Sequence, residues 1–167
     1  SQKMSAPNAA RKVTQPTHAP APPSETPSIS LLDYPRSELG FAEFIAETNG
    51  DDVRYDHLRK RWLLWTGSRW TEQDTEQIHG VAGKTARQAQ RLSLGIEDGD
   101  TRKSFSDWAF GYESLRKRDS ALGWLRTLSP IAVTGRNFDT NAWLLGGRNG
   151  ALDMNTAAFR KGERGDN

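Results

Sequence analysis

The fold is decided by Arg61-Trp-Leu-Leu-Trp65-Thr-Gly67-Ser-Arg-Trp70, in which aromatic and branched residues flank a turn that contains glycine. Such a pattern predicts two antiparallel strands joined by a tight turn. The run Val53-Arg-Tyr55 lies shortly before it and predicts a third strand, so the region indicates a small antiparallel meander. Trp62, Trp65 and Trp70 would supply much of its packing area, and we expect all three in the core.

The hydrophobic period changes directly after the meander. Between residues 74 and 96 the apolar positions recur at steps of three and four, which predicts an amphipathic helix. These positions are Ile78, Val81, Ala82, Ala86, Ala89, Leu92 and Ile96. A shorter helix is predicted before the meander, over roughly 38–48, because Ser37 can cap it and Asn49-Gly50 can end it.

Two further helices are predicted in the second half of the chain. The first spans about 102–117 and is indicated by the spacing of Phe105, Trp108, Ala109, Tyr112 and Leu115. The second begins at a cap supplied by Asp119 or Ser120. It ends before Pro130, because proline disfavours the helical conformation of the residue that precedes it.

Strand patterns return near the end of the sequence. They predict strands at 143–145, 151–154 and 158–159, with turn signals at Gly146-Gly147 and Asn149-Gly150. The predicted fold class is therefore α+β, with a three- to four-helix middle and small antiparallel β-hairpins or a meander at both ends.

The chain divides into two parts by composition. Residues 1–30 are rich in Pro, Ala, Ser and Thr. Such a segment cannot bury enough apolar area to offset its ordering entropy, so we expect a disordered Pro/Ala-rich linker. Residues 31–165 are predicted to form a single α+β domain. Because both ends of the sequence are polar, we expect the chain to be a middle piece of a longer polypeptide.

Composition excludes several classes of function. The chain has no cysteine, which removes disulfides, thiolate nucleophiles and zinc–thiolate sites. It has neither a signal-peptide pattern nor an apolar run near the ~20 residues that a membrane span needs, so we expect a cytoplasmic protein. The formal net charge is +2. That excess lies within residues 1–30, which leaves the predicted domain neutral and gives no argument for nucleic acid from bulk charge.

One string resembles an enzyme motif. Gly80-Val-Ala-Gly-Lys-Thr85 looks like the end of a phosphate-binding loop, whose backbone N–H groups cradle phosphates. Such a loop needs a buried strand directly before it, whereas residues 71–77 are polar. The apolar spacing also continues unbroken through 78–92. We therefore predict a turn of helix, and the nucleotide-binding enzyme stays the less favoured alternative.

No other pattern indicates a catalytic or metal centre. His57 and His79 lack cysteine partners and the spacing of zinc-binding helices. Asp51-Asp52 and the acidic residues at 97–100 lack the alternation of a calcium loop, so solvated turns explain them better. We expect no catalytic residue, metal site or cofactor in this chain.

Local clusters of cations stand out against the neutral average. The first is Arg59-Lys60-Arg61, beside Trp62. The second is Lys84, Arg87 and Arg91, whose spacing places them on one helix face. The run 116–118 adds a third group at what is predicted to be the end of a helix. The hypothesis is that Arg59, Lys60, Arg61, Lys84, Arg87 and Arg91 bind DNA phosphates. The alternative is that these cations are ordinary solvated surface.

Four stretches in order resemble a known domain. They are Arg36-Ser-Glu-Leu-Gly40-Phe-Ala42-Glu-Phe-Ile45, Gly50-Asp-Asp-Val-Arg-Tyr55, the tryptophan-rich hairpin at 61–70, and a closing stretch that contains Asp139, Trp143-Leu-Leu145, Asn149-Gly150 and Leu152-Asp153. This pattern, over about 36–165, resembles the poxvirus D-five-like amino-terminal domain of phage, prophage and plasmid primase-helicases. That domain precedes the superfamily 3 helicase module. The segment Asp56-His-Leu-Arg-Lys60 departs from the pattern, because a turn that contains glycine is expected there.

The resemblance implies a non-catalytic accessory domain in DNA replication that couples primase to helicase. Its partners would be DNA, the adjoining primase and helicase modules and, in the full-length protein, further copies of itself. ATP and Mg²⁺ are expected only for the helicase module, and the setting would be the cytoplasm of a bacterial host. The rival interpretation is a structural collar for oligomerisation, or a protein-interaction module, that does not touch DNA.

Overall fold

The computed structural model describes residues 29–135, 144–147, 150–153 and 156–164. The elements of these ranges are a short 3-10 helix (Leu31–Asp33), α1 (Glu38–Asn49), β1 (Val53–Asp56), β2 (Arg61–Trp65), β3 (Trp70–Gln73), α2 (Thr75–Ser93), α3 (Gly99–Gly111), α4 (Leu115–Leu125), β4 (Ala132–Val133), β5 (Leu144–Gly147), β6 (Gly150–Asp153) and β7 (Ala158–Arg160). The predicted α+β class, with helices between two β regions, is confirmed.

Three of the α-helices begin at side chains that accept a hydrogen bond from the first turn. The Oγ of Ser37 accepts from the backbone N of Gly40 at 3.1 Å, as the sequence predicted for α1. Asp74 and Asp98 cap α2 and α3 in the same way, with distances of 2.9 Å and 2.8 Å. These local bonds satisfy N–H groups that the helix leaves unpaired, so they fix where each helix starts.

The boundary between α3 and α4 differs from the prediction. One helix was expected over 102–117, followed by another that Asp119 or Ser120 would cap. Instead α3 ends at Gly111 and α4 begins at Leu115. The predicted number of helices is right, and both predicted starting points are wrong.

Tertiary packing of Tyr112 accounts for this break. Its ring stacks on Phe41 with 3.8 Å between centroids, and its hydroxyl donates to the carbonyl of Ser37 at 2.9 Å. Burial raises the pKa of Tyr112 to about 12, so the phenol keeps its proton and its donor role. The chain turns over 112–114, and the basic run 116–118 therefore lies in the first turn of α4. Cations are unfavourable there, which reverses the dipole argument made from sequence.

The first β region is a four-stranded sheet in the order β3-β2-β1-β4. The predicted antiparallel meander is confirmed, with Val53 opposite Leu64 and Trp65 opposite Trp70. Gly67 takes the positive φ of 91° that its turn requires. The short strand β4 adds in parallel to β1, and no local pattern predicted it because only two residues pair.

The second β region is an antiparallel sheet in the order β5-β6-β7. Over their described residues this confirms the strands predicted near the end of the chain, with Leu145 opposite Leu152 and Leu152 opposite Phe159. Gly146-Gly147, predicted as a turn, belongs to β5 instead. The predicted turn residue Asn149, the strand ends Trp143 and Met154, Asp139 of the closing stretch and residues 1–28 of the predicted linker lie outside the described residues.

The core is formed by the four helices and one face of the four-stranded sheet. Its largest fully buried apolar side chains are Phe41, Phe44, Ile45, Val53, Ile78, Leu125 and Ile131. Trp62 joins this core, as predicted. Trp65 and Trp70 are only half-buried, so the expectation that all three tryptophans are core residues is wrong for two of them. They lie at the turn end of the β2–β3 hairpin, where they pair across the strands and their rings pack on each other at 5.6 Å. Within the described ranges, no helix has the length and apolarity that crossing a membrane requires.

Candidate nucleic-acid interface

The enzyme-like string Gly80–Thr85 lies inside α2, as the sequence predicted. The hydroxyl of Thr85 is buried, donates to the carbonyl of Val81 at 3.0 Å and accepts from Nδ2 of Asn49 at 3.0 Å. It therefore fastens α2 to α1 and is not free to hold a metal ion. Lys84 points from the exposed side of the same helix turn. Neither residue has the geometry of a phosphate loop, whose backbone N–H groups must be unpaired.

The glycine in this string makes room for an arginine of another helix. Arg118, from the first turn of α4, donates through Nε to the carbonyl of Tyr112 at 2.5 Å and through Nη1 to the carbonyl of His79 at 3.4 Å. A Cβ atom at Gly83 would lie 3.0–3.1 Å from the carbon and both terminal nitrogens of its guanidinium. The guanidinium plane thus faces the backbone of Gly83, and a larger side chain would displace it.

A small groove opens between α2 and α4 at this contact. Its volume is about 230 Å³, and it is lined by Gly80, Gly83, Lys84, Arg87 and Arg118. Two residues of the DNA hypothesis are therefore brought together with a cation that the sequence did not assign to it. Arg118 is far from Lys84 in the chain, and helix spacing cannot reveal a contact between helices. A glycine at position 83 of a helix permits such a close approach, but it does not indicate which residue makes it.

The cations around this groove have no acidic partner in the described part of the chain. No carboxylate oxygen there lies within 4.0 Å of the charged nitrogens of Lys84, Arg87, Arg91 or Arg118. Asp119, the neighbour of Arg118, instead contacts Nε2 of His79 at 2.9 Å. Arg91 lies one turn beyond Arg87 on α2 and is also exposed. We call Lys84, Arg87, Arg91 and Arg118 the α2–α4 cluster.

The other predicted cluster has a buried acid at its centre. The carboxylate of Asp56 is fully buried and accepts from the backbone N of Leu58 at 2.9 Å and from Nη1 of Arg59 at 3.2 Å. Nε of Arg61 lies 3.6 Å from the same carboxylate, and its Nη1 contacts Glu72 at 2.8 Å. Two of the three predicted cations are thus paired. We call this group, residues 56–61 with Glu72, the hairpin cluster.

Hydrogen bonding keeps the central acid of the hairpin cluster ionised. Burial by itself would raise the pKa of Asp56, but the backbone N–H and guanidinium of Arg59, together with the N–H of Leu58, outweigh it and lower the pKa. Lys60 takes a left-handed φ of 53°, the conformation that a glycine would adopt at lower cost. The segment 56–60 therefore replaces the expected glycine turn with a turn that a buried carboxylate holds together.

The half-buried tryptophans of the hairpin are not an open stacking platform. Residues 161–164 cover them: the indole N–H of Trp70 donates to the carbonyl of Arg164 at 3.1 Å, and the Arg164 guanidinium lies 5.8 Å from the centre of a Trp65 ring. Arg164 also pairs with Asp52 at 2.6 Å. On the other side, the guanidinium of Arg54 lies 5.0 Å from a ring centre of Trp70. Stacking on unpaired bases would require these contacts to open.

The described residues contain no group of three or more His, Asp or Glu side chains that could hold a metal ion. The two histidines named from sequence have other contacts. Nε2 of His57 lies 2.6 Å from the carbonyl oxygen of Arg126, and His79 contacts Asp119. Each therefore joins an element of the first half of the fold to α4 or its end.

Comparison with known proteins identifies a family to which most of the chain is similar. Residues 42–167 match the family model described as "D5 N terminal like". The match covers most of the chain and three of the four stretches on which the resemblance was based. No curated protein matches the sequence.

Proposed function

We propose, because the chain belongs to the D5 N terminal like family of primase/helicase-type replication proteins, that it is an accessory domain of a phage, prophage or plasmid primase-helicase. It would have no catalytic centre of its own. It would couple the primase to the helicase and contact DNA in the cytoplasm of a bacterial host. ATP and Mg²⁺ would serve the helicase module, and no residue of this chain is assigned to them.

The observation that carries the DNA contact is the uncompensated α2–α4 cluster. Lys84, Arg87 and Arg91 are exposed along one face of α2, and no described carboxylate lies within 4.0 Å of their charged nitrogens. Such cations exchange mobile counterions for phosphates, and this exchange supplies most of the affinity of non-specific binding. By the same reasoning Arg59 and Arg61, which already pair with acids, would add less.

Fluorescence anisotropy with labelled single-stranded and double-stranded DNA of one sequence, at about 50 mM and about 200 mM salt, tests the proposal. We expect binding that weakens with salt and that the triple variant Lys84→Ala, Arg87→Ala, Arg91→Ala largely loses. Alanine keeps the helix, because it has the highest helix propensity. The matched control is Lys103→Ala, an exposed helix lysine that pairs with Asp107 at 2.6 Å. The absence of salt-dependent binding by the wild type would overturn the DNA role.

A structural collar that does not touch DNA is the second candidate. Its support is an apolar groove of about 650 Å³ where the 3-10 helix meets the end of α2, lined in part by Leu31, Leu32, Leu92 and Ile96. Leu94 beside it is 69% exposed. Contiguous exposed apolar surface marks contacts with other proteins. Sedimentation velocity of the chain alone and fused to its helicase separates the two: assembly without DNA binding favours the collar.

A further inference from the structure

We propose that the groove between α2 and α4 binds one backbone phosphate of the DNA, with Arg118, Lys84 and Arg87 as its ligands. This inference rests on the proposed function and deepens it, because it assigns the contact to a particular site that includes a residue of α4. The whole exposed face of α2 could bind DNA without any such site. The phosphate site can therefore be wrong while the DNA-binding role is right.

Arg118 is already held in place before a ligand arrives. Two backbone carbonyls fix its Nε and Nη1, and the flat contact with Gly83 fixes the plane of the guanidinium. Its Nη2 has no hydrogen-bond partner among the described residues. A guanidinium held in this way has lost most of its rotamer freedom before a ligand arrives, so binding costs less ordering entropy. Its planar fork also suits phosphate oxygens better than a lysine does.

The groove also concentrates positive charge. Lys84, Arg87 and Arg118 line one small groove, and Asp119, the acid nearest to them in the sequence of α4, is engaged by His79. Like charges that converge without a carboxylate repel each other, and a bound anion relieves this repulsion. Hydrogen bonds between such cations and phosphate oxygens are also among the stronger ones in proteins.

The size of the groove favours a single phosphate as its ligand. Pockets for whole small molecules and cofactors usually measure about 300–1,000 Å³. The groove of about 230 Å³ is smaller than that and does not enclose a whole nucleoside triphosphate. A single phosphate group of a continuous backbone fits, since the rest of the nucleic acid can pass over the open side. The string at 80–85 thus contacts a phosphate through a side chain on a helix face, whereas a phosphate loop would use its backbone N–H groups.

Gly80 offers a test that does not depend on damage to the fold. It lines the groove, it is exposed, and a Cβ placed there meets nothing within 4 Å. Gly80→Gln would therefore fill the groove while it improves helix propensity. Gly123 of α4 is the matched control, because it is also exposed and open around its Cβ but does not line the groove. We expect both variants to melt at the wild-type temperature or above it.

The experiment is a titration of labelled single-stranded DNA with the wild type and the variants Gly80→Gln, Gly123→Gln and Arg118→Met. We expect Gly80→Gln and Arg118→Met to weaken binding about tenfold, the effect of losing one charge-assisted contact of about 1.4 kcal/mol. Gly123→Gln should bind like the wild type. Arg118→Met should also lower the salt slope by about 0.7.

The outcomes distinguish an error in the groove site from an error in the DNA-binding role. If the wild type binds DNA and Gly80→Gln binds equally well, the groove site is wrong while the DNA role stands. Equal losses in Gly80→Gln and Gly123→Gln would also contradict the groove site, because the loss would then come from helix substitution in general. If the wild type does not bind DNA, both the function and the site are wrong.

Discussion

The hairpin cluster and the α2–α4 cluster each gather at least three cations, but the fold places acids beside only one of them. In the hairpin cluster, the buried carboxylate of Asp56 organises the turn, and Glu72 reaches Arg61 from the neighbouring strand. In the α2–α4 cluster, the charged nitrogens have no described carboxylate within 4.0 Å. Arginines around a buried acid stabilise the fold, whereas unpaired cations on a helix face are available to a ligand.

The largest expected effect is on the stability of the hairpin cluster. Asp56→Ala leaves two backbone N–H groups and the paired arginines without their acceptor, so the free energy of unfolding should fall by about 2 kcal/mol. Urea denaturation followed by tryptophan fluorescence measures it. Glu72→Ala removes a 62% exposed partner of Arg61 and is the control, with an expected loss below about 1 kcal/mol. Equal losses in the two variants would show that the buried acid does not organise the turn.

Low pH should destabilise the hairpin cluster for the same reason, because protonated Asp56 is a poorer acceptor. The pKa of Asp56 is lowered in the folded protein, so its contribution to stability is complete above the ordinary aspartate pKa of about 3.9. It is lost as the pH falls through the lower folded value. Asp56→Asn should therefore flatten the dependence of unfolding free energy on pH below about pH 4. An unchanged pH dependence in that variant would contradict the assignment.

Adding an acid to the α2–α4 cluster should make it resemble the hairpin cluster. Gln88 is exposed and lies one helix turn from both Lys84 and Arg91. Gln88→Glu keeps the shape of the side chain and should weaken DNA binding about fivefold, because it neutralises one cation and repels phosphate. Glu38→Gln, on α1, changes the net charge equally in the other direction and controls for the overall charge. Gln88→Glu binding as well as the wild type would contradict a role for this face.

The smallest expected effect on DNA affinity comes from the converse change, which removes an acid from the hairpin cluster. Glu72→Gln frees Arg61 from its exposed partner, while Asp56 still holds Arg59. DNA affinity should rise by about twofold or less, because one weak surface pair is released. The same anisotropy titration measures it. A gain in DNA affinity as large as the loss in Gln88→Glu would contradict the claim that only the α2–α4 cluster has cations available to DNA.

Local patterns were enough to predict most of the fold. The cap Ser37, the period of α2 and the glycine turn at Gly67 each depend on residues close together in the chain, so the sequence displays them. The break between α3 and α4 depends on Tyr112 stacking against another helix. The strand β4 depends on pairing with β1 across most of the described chain. Neither contact leaves a local pattern, and both were missed.

In the candidate site, too, local patterns were predicted and contacts between distant residues were missed. Helix spacing correctly placed Lys84, Arg87 and Arg91 on an exposed face of α2. It could not reveal that Arg118 completes the groove, because that contact joins two helices. Nor could it reveal that Glu72 neutralises part of the hairpin cluster, since the two meet only across a strand register. Charge runs in a sequence therefore predict where cations are, and only the fold predicts which of them remain unpaired.

The most direct test of this account is the dependence of DNA affinity on salt concentration in three proteins: the wild type, the triple variant Lys84→Ala, Arg87→Ala, Arg91→Ala, and the variant Arg59→Ala. Each phosphate contact on single-stranded DNA contributes about −0.7 to the slope of log K against log salt. The triple variant should reduce the magnitude of the slope by about 2, whereas Arg59→Ala should leave it nearly unchanged. An unchanged slope in the triple variant, or a larger change in Arg59→Ala, would contradict the claim that DNA binds where the fold leaves cations unpaired.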